Sequence, residues 1–136
     1  MRKRVARAFE RMDDRADAVA DEPQEERDIG LHELREAAKR ARYAAEAVVP
    51  LFGTDASRAA SRAEALQDVL GEHQDSVRSQ EALRQLGVTA HLSGENGFSF
   101  GVLVGAERQR AAEADAAHDE VYRRTTTKKA RRWLQA

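Results

Sequence analysis

Residues 31–46 read LHELREAAKRARYAAE, and their spacing decides the fold class of the chain. Apolar residues recur in this stretch at intervals of three and four, which is the repeat of one face of an α-helix. The face continues past residue 46 and consists of Leu31, Leu34, Ala38, Ala41, Ala45, Val48 and Phe52. The pattern predicts an amphipathic helix that packs against other helices through mostly small side chains.

The composition of the chain also favours an all-α fold. Of its 136 residues, 41% are hydrophobic but only 5% are aromatic, so the core must consist mainly of alanine, leucine and valine. The absence of cysteine excludes a disulfide framework and a thiolate metal site. No apolar run approaches the roughly 18 residues of a membrane span. We therefore expect a soluble, cytoplasmic protein with no membrane partner.

Prolines and glycines divide the chain into four predicted helices, at about residues 2–20, 31–52, 55–86 and 98–134. Gly53 and Gly87 are placed to end the second and third helices. Pro50 lies in the final turn of the second helix, where we expect fraying or an earlier end. We predict one all-α domain over residues 1–136, an antiparallel four-helix bundle with long helices.

A row of basic residues borders the apolar face of the second predicted helix. His32, Arg35, Lys39 and Arg42 repeat its spacing, displaced by one residue. At about 100° per residue, this places them on an arc along the edge of the apolar face. Glu46 follows one turn after Arg42 and can pair with its guanidinium.

Two other predicted helices also carry basic rows. In the first helix, Arg4, Arg7, Arg11 and Arg15 each come one residue before an apolar residue. In the last helix, Arg124, Lys128 and either Arg131 or Arg132 share a face. If these edges face one another, the cations converge on a groove or channel that needs an anion. The alternative is a solvated face on which long basic side chains cover apolar surface.

The chain resembles the CHAD family, the conserved histidine α-helical domain. The resemblance is carried by HELR at residues 32–35, KRARY at 39–43 with Glu46, LQDVLGEHQDSV at 66–77 and GFSFGVLVG at 97–105. It implies a helical domain that binds inorganic polyphosphate, often associated with triphosphatase domains or polyphosphate granules.

The resemblance and the basic rows together predict the site residues. The anion-binding candidates are His32, Arg35, Lys39, Arg42, Arg4, Arg7, Arg11, Lys128 and Arg131. The expected supporting residues are Tyr43, Glu46, His73, Asp75 and Arg78. Asp75 is expected to orient a basic neighbour such as Arg78, or an arginine from another helix.

The length of the chain departs from the family pattern. Family domains usually contain two similar four-helix halves, and this chain resembles only the second, C-terminal half. Either the chain is a shortened half, or two copies associate and complete the groove across a two-fold axis. We expect a homodimer.

Other functional classes stay open at this point. A histidine phosphotransfer domain would use His32 as phospho-acceptor, although Glu36 replaces the glycine that opens space beside such a histidine. A helical scaffold for protein partners is a further alternative. Phosphate contacts alone do not identify a polymer, but we expect no specific nucleic-acid recognition. We also expect no catalytic residue, no metal and no cofactor, since Asp68, Glu72 and Asp75 have a spacing common on solvated helices.

Overall fold

The computed structural model describes residues 1–135 and confirms the all-α class. The described residues form five helices and no strand. The helices are α1 (Arg2–Asp21), α2 (Gln24–Ala47), α3 (Val49–Leu92), α4 (Phe98–Thr126) and α5 (Lys128–Gln135). The prediction of a four-helix bundle is not confirmed, because α1 to α4 pack on their neighbours in the chain and α5 packs against α1, α3 and α4.

The core lies between α1, α2 and the first half of α3, with Trp133 of α5 at one end. The predicted apolar face of α2 is buried along its length, from Leu31 to Val48. Alanines such as Ala38 and Ala63 have no exposed surface, which lets the helix axes approach closely. Phe52 lies beyond the end of α2 and packs at a tilt against Trp133, with ring centroids 5.6 Å apart.

Residues 21–30, which lie between the first two predicted helices, are mostly helical. After Pro23, whose ψ is 155°, α2 begins at Gln24 and contains the rest of the segment. Glu25 and Glu26 lie in its first turn, where the helix dipole favours negative charge. Gly30 is buried inside α2, where an added Cβ would collide with the Glu22 carboxylate.

The junction between α2 and α3 contains the break that Pro50 and Gly53 predict. α2 ends at Ala47, and Pro50 occupies the first turn of α3. Gly53 has φ 55° and ψ −129°, which separates this short turn from the long part of α3. Left-handed backbone of this kind is routine only for glycine.

The predicted end of α3 at Leu86 and the single last helix are wrong. Gly87 stays helical because it packs against the side chain of Phe100, and Gly94, with φ 80°, makes the turn instead. The last predicted helix is two helices, since Thr127 is extended, with ψ 149°. The Thr127 hydroxyl accepts a hydrogen bond of 3.2 Å from the Ala130 amide and caps α5.

Candidate anion-binding surface

The basic row of α2 lies along the groove between α2 and α3. Arg35 donates from Nη1 to Gln74 Oε1 at 3.3 Å, and Arg42 donates from Nη1 to Gln67 Oε1 at 3.2 Å. Gly71 lies between these two glutamines on α3, and an added Cβ there would be 3.3 Å from Arg35 Nε. The glycine therefore leaves room for the Arg35 guanidinium to lie against α3.

Arg42 is held by acids on both helices. Its Nε donates to Glu46 Oε1 at 2.8 Å, and its Nη2 lies 3.4 Å from Glu64 Oε1. The hydrogen bond to Glu46 raises the pKa of Arg42 above its ordinary value. The guanidinium carbon lies 5.6 Å from the centroid of the half-exposed Tyr43 ring. These contacts fix the orientation of a side chain that keeps 24% of its surface exposed.

The remaining α2 candidates have fewer partners. His32 is exposed, and its Nδ1 lies 2.6 Å from Gln74 Nε2. Lys39 is half-buried, and the neighbouring Arg40 is exposed. Neither of these two cations forms an ion pair within residues 1–135. Their charges are open to a ligand.

The arginines of α1 border a second groove, between α1 and α2. This groove has a volume of about 460 Å³, and Arg11, Arg15, His32 and Arg40 are its basic lining residues. Asp14, Glu33 and Glu36 also line it, and Arg15 Nη1 lies 2.8 Å from Glu33 Oε2. Arg4, Arg7 and Arg11 are exposed and make no ion pair in the described part of the chain.

The two grooves flank the outward side of α2 and form one surface. We call it the basic face and define it by Arg4, Arg7, Arg11, His32, Lys39 and Arg40, with Arg35 and Arg42 at its α3 edge. The rows of the first two helices meet at Arg11, Arg15, His32 and Arg40, which line one groove. They do so on an outer surface of the molecule and not in a central channel.

The structure does not bring Lys128 and Arg131 to the basic face. Arg131 donates to both carboxylate oxygens of Asp13, at 3.0 and 2.7 Å, and its guanidinium lies 4.8 Å from the centroid of Phe9. Asp13 is on the flank of α1 away from the arginine row. Arg131 thus joins α5 to α1, and the exposed Lys128 lies beside it.

A basic cluster that the sequence analysis missed lies between α3 and α5. Arg58 and Arg62 of α3 line a small cleft with Lys129 and Arg132, and the one acid there is Asp55. None of these four cations forms an ion pair among residues 1–135. The spacing of four residues between Arg58 and Arg62 was a signal for a shared helix face.

His73 does not support the basic row as predicted. It lies one position before Gln74 and therefore about 100° around α3, on the side that faces α4. The side chain is buried, and its Nε2 is 3.5 Å from Asp28 Oδ1. Burial, which disfavours the charged imidazole, lowers the pKa of His73.

Asp75 and Arg78 also differ from their prediction. Both are exposed, and Asp75 pairs with no arginine within the described range. An ion pair between exposed side chains gains little free energy in water, so Asp75 does not orient Arg78.

His73 lies in a cleft of about 830 Å³ that is lined by residues of α1, α2, α3 and α4. Arg27 of α2 donates from Nε and Nη2 to Asp115 of α4, at 2.7 and 2.6 Å, and from Nη1 to the Val19 carbonyl at 3.0 Å. His118 Nδ1 lies 2.5 Å from the Asp115 carbonyl oxygen. Arg27 and Asp115 are 88 positions apart in the chain, so no local sequence pattern could have predicted their ion pair.

The described residues include no group of three or more histidine, aspartate or glutamate side chains that could hold a metal ion. Over residues 1–135, no helix combines the length and apolar character needed to cross a membrane.

Comparison with known proteins adds a family. The model of the family described as CHAD domain matches residues 1–84. Two Mycobacterium tuberculosis proteins, uncharacterized protein MT2285 of strain CDC 1551 / Oshkosh and uncharacterized protein Rv2226 of strain ATCC 25618 / H37Rv, are each 41% identical over 85 residues. The match covers 62% of this chain but only 15% of each relative. No solved structure matches.

Proposed function

The chain belongs to the CHAD domain family, and from this premise we propose that it binds inorganic polyphosphate on the basic face. The observation that carries the proposal is the row of His32, Arg35, Lys39 and Arg42, which lies in register along one edge of α2 beside the arginines of α1. Polyphosphate is a chain of like charges, so its receptor needs cations at regular intervals.

The geometry of a helix suits such a ligand. Residues on one edge of α2 repeat with the pitch of about 5.4 Å, so successive side chains can contact successive phosphoryl groups. Arginine can offer two parallel N–H donors to one phosphoryl group, and lysine offers a point charge. Only Tyr43 on this surface is aromatic, whereas single-strand nucleic-acid sites use aromatic side chains as stacking platforms.

The cations of the basic face form two groups, according to their contacts with other side chains. Arg35 and Arg42 donate to glutamine and glutamate side chains and are held against α3, yet their side chains keep 28% and 24% exposure. A guanidinium carries five N–H donors, so each can bind an anion as well. Arg4, Arg7, Arg11, Lys39 and Arg40 carry charges that acids in the described chain leave unpaired. We assign positioning of the ligand to the first group and most of the long-range attraction to the second.

We further propose that the domain binds polyphosphate without catalysing its hydrolysis. We also propose that it works in the cytoplasm, that it associates with polyphosphate granules or a triphosphatase, and that two copies of the chain associate.

A calorimetric titration with long-chain polyphosphate at two salt concentrations tests the proposal. The test variant is Lys39→Ala with Arg40→Ala, because both side chains belong to the basic face and neither is paired with an acid. By analogy with single-stranded nucleic acid, loss of two phosphate contacts should reduce the slope of log K against log salt by about 1.4. The matched control is Arg123→Ala on α4, an exposed arginine whose charge is paired with Asp119 at 2.6 Å.

Equal salt slopes in the parent protein and the Lys39/Arg40 variant would mean that polyphosphate does not bind on the basic face. Duplex DNA and acetyl phosphate serve as comparators. Binding to DNA as tight as to polyphosphate would mean a general polyanion surface. Phosphorylation of His32 by acetyl phosphate would favour the phosphotransfer alternative.

A further inference from the structure

The hairpin formed by the end of α3 and the start of α4 differs from the rest of the molecule in charge. Between Gln85 and Ala106 the only acidic or basic residue other than His91 is Glu95, although 35% of the whole chain is charged. Six large apolar side chains in this segment are exposed, namely Leu86, Val88, Leu92, Phe98, Val102 and Leu103. Exposed apolar surface concentrated in one region marks an interaction site.

A stripe on α4 has the spacing of a packing face but is not covered by any element within residues 1–135. Phe98, Gly101, Val102 and Gly105 follow the i, i+3, i+4, i+7 repeat, and Phe98 and Val102 are 73% and 55% exposed. Apart from the backbone of α4 itself, a Cβ added at Gly101 or Gly105 would have no atom of residues 1–135 within 4 Å. Glycine inside a helix is less stable than alanine, and no neighbour in the described part of the chain uses the space that it leaves.

Two residues of α3 extend the stripe across the hairpin. Gly87 and Gly97 face each other, since an added Cβ at Gly97 would lie 3.0 Å from the Gly87 carbonyl oxygen. In an antiparallel helix pair, the residues that follow facing positions lie on the same side of both helices. Val88 and Phe98 are these residues, and Leu92 follows Val88 after one turn. We call this surface, Val88, Leu92, Phe98 and Val102 around Gly101 and Gly105, the hairpin face.

We propose that the hairpin face is a two-fold contact between two copies of this chain. A two-fold contact requires a surface that is complementary to itself. The hairpin face combines a projecting ring at Phe98 with a hollow at Gly101 and Gly105 on the same stripe. Each copy can therefore place its ring in the hollow of the other. The face itself has no charged side chain, so two copies meet without repulsion between like charges.

The size of the hairpin face predicts a weak contact. Its four large side chains are between 55% and 80% exposed. At about 200 Å² for the phenylalanine and on the order of 100 Å² for each aliphatic side chain, they would bury roughly 340 Å² per copy and about 700 Å² per pair. This is below the standard size of a specific interface, so the dimer should dissociate on dilution. The inference rests on the association of two copies proposed above and is independent of polyphosphate binding.

Sedimentation velocity of the whole chain over a concentration series tests the contact, with Val102→Asp as the variant. The charge should weaken dimerisation at least tenfold, because it would be buried in the contact. Leu103→Asp is the matched control, since Leu103 is adjacent and 49% exposed but precedes the buried Val104 and so lies on the other side of the hairpin. This control should dimerise as the parent protein does.

Cysteine variants give a second test, which does not depend on the stability of an aspartate variant. The chain contains no cysteine, so Val102→Cys and Leu103→Cys each introduce one thiol. Oxidation should produce a disulfide-linked dimer from Val102→Cys and much less from Leu103→Cys. A parent protein that stays monomeric at all concentrations, or equal effects at the two positions, would overturn the proposal.

Discussion

Replacing Asp115 with alanine removes the carboxylate that joins α4 to α2. Asp115 accepts two hydrogen bonds from Arg27, at 2.7 and 2.6 Å, and the two side chains are 21% and 22% exposed. Removing one partner of a fully buried pair costs about 3–5 kcal/mol, whereas an exposed pair contributes about 0–1 kcal/mol. For a pair exposed by one fifth, we expect a loss of about 2 kcal/mol, or about 7 °C in Tm for a chain of this length.

Urea unfolding of a double-mutant cycle isolates the ion pair from other effects of the substitutions. The cycle compares the parent protein with Asp115→Ala, Arg27→Ala and the double variant. Arg27 also donates to the Val19 carbonyl, so Arg27→Ala alone should cost at least as much as Asp115→Ala. We expect a coupling free energy of about 1–2 kcal/mol between the two side chains. A coupling below about 0.5 kcal/mol would refute the argument that partial burial makes this pair stabilising.

The pH dependence of unfolding provides a second check on the same pair. The hydrogen bonds from Arg27 hold the pKa of Asp115 below its ordinary value of 3.8. The stabilisation is therefore complete above about pH 4 and is lost as the pH falls through the lowered pKa of the folded state. The difference in unfolding free energy between the parent protein and Asp115→Ala should shrink below about pH 4, where Asp115 takes up a proton. A difference that grew with acidity would contradict this sign.

Two further predictions concern buried and left-handed positions. Burial lowers the pKa of His73 below 6.5, so stability should be complete above that pH and fall as the pH drops towards the lowered pKa. His73→Gln should reduce this acid dependence in urea unfolding between pH 7.5 and 5.5, and an unchanged dependence would assign it to other groups. Gly53→Ala should lower the unfolding free energy by about 2 kcal/mol, because φ 55° and ψ −129° disfavour any residue with a Cβ. Apart from its chain neighbours, no atom of the described residues lies within 4 Å of that Cβ, so a thermal melt that shows no loss would contradict the backbone argument.

Periodicity predicted the parts of the fold that depend on local spacing. The apolar face from Leu31 to Val48 is buried as its three-and-four repeat indicates, and the basic row lies on the edge of that face. Pro50 and Gly53 also mark the break between α2 and α3. Each of these predictions depends only on the spacing of residues within helical turns or on the type of a single residue.

The errors arise where tertiary contacts override a local signal. Gly87 is a common helix-ending residue, but its missing side chain is used here for packing against Phe100, so α3 continues to Leu92. Arg131 and His73 match basic and family patterns, yet Asp13 and the cleft beside Asp28 determine their environments. Spacing along a helix gives the direction of a side chain but not the element that it meets.

The connectivity of the helices has a consequence for how the chain acquires its structure. α1 to α4 pack on sequence neighbours, so most contacts close short loops, and topologies of this type fold in microseconds to milliseconds. The ion pair between Arg131 and Asp13 spans 118 positions and requires α5 to return to the start of the chain. Closing so long a loop is costly in chain entropy until both surfaces exist. Folding should therefore end with the docking of α5, and native-state hydrogen exchange should find α5 to be the first helix that opens.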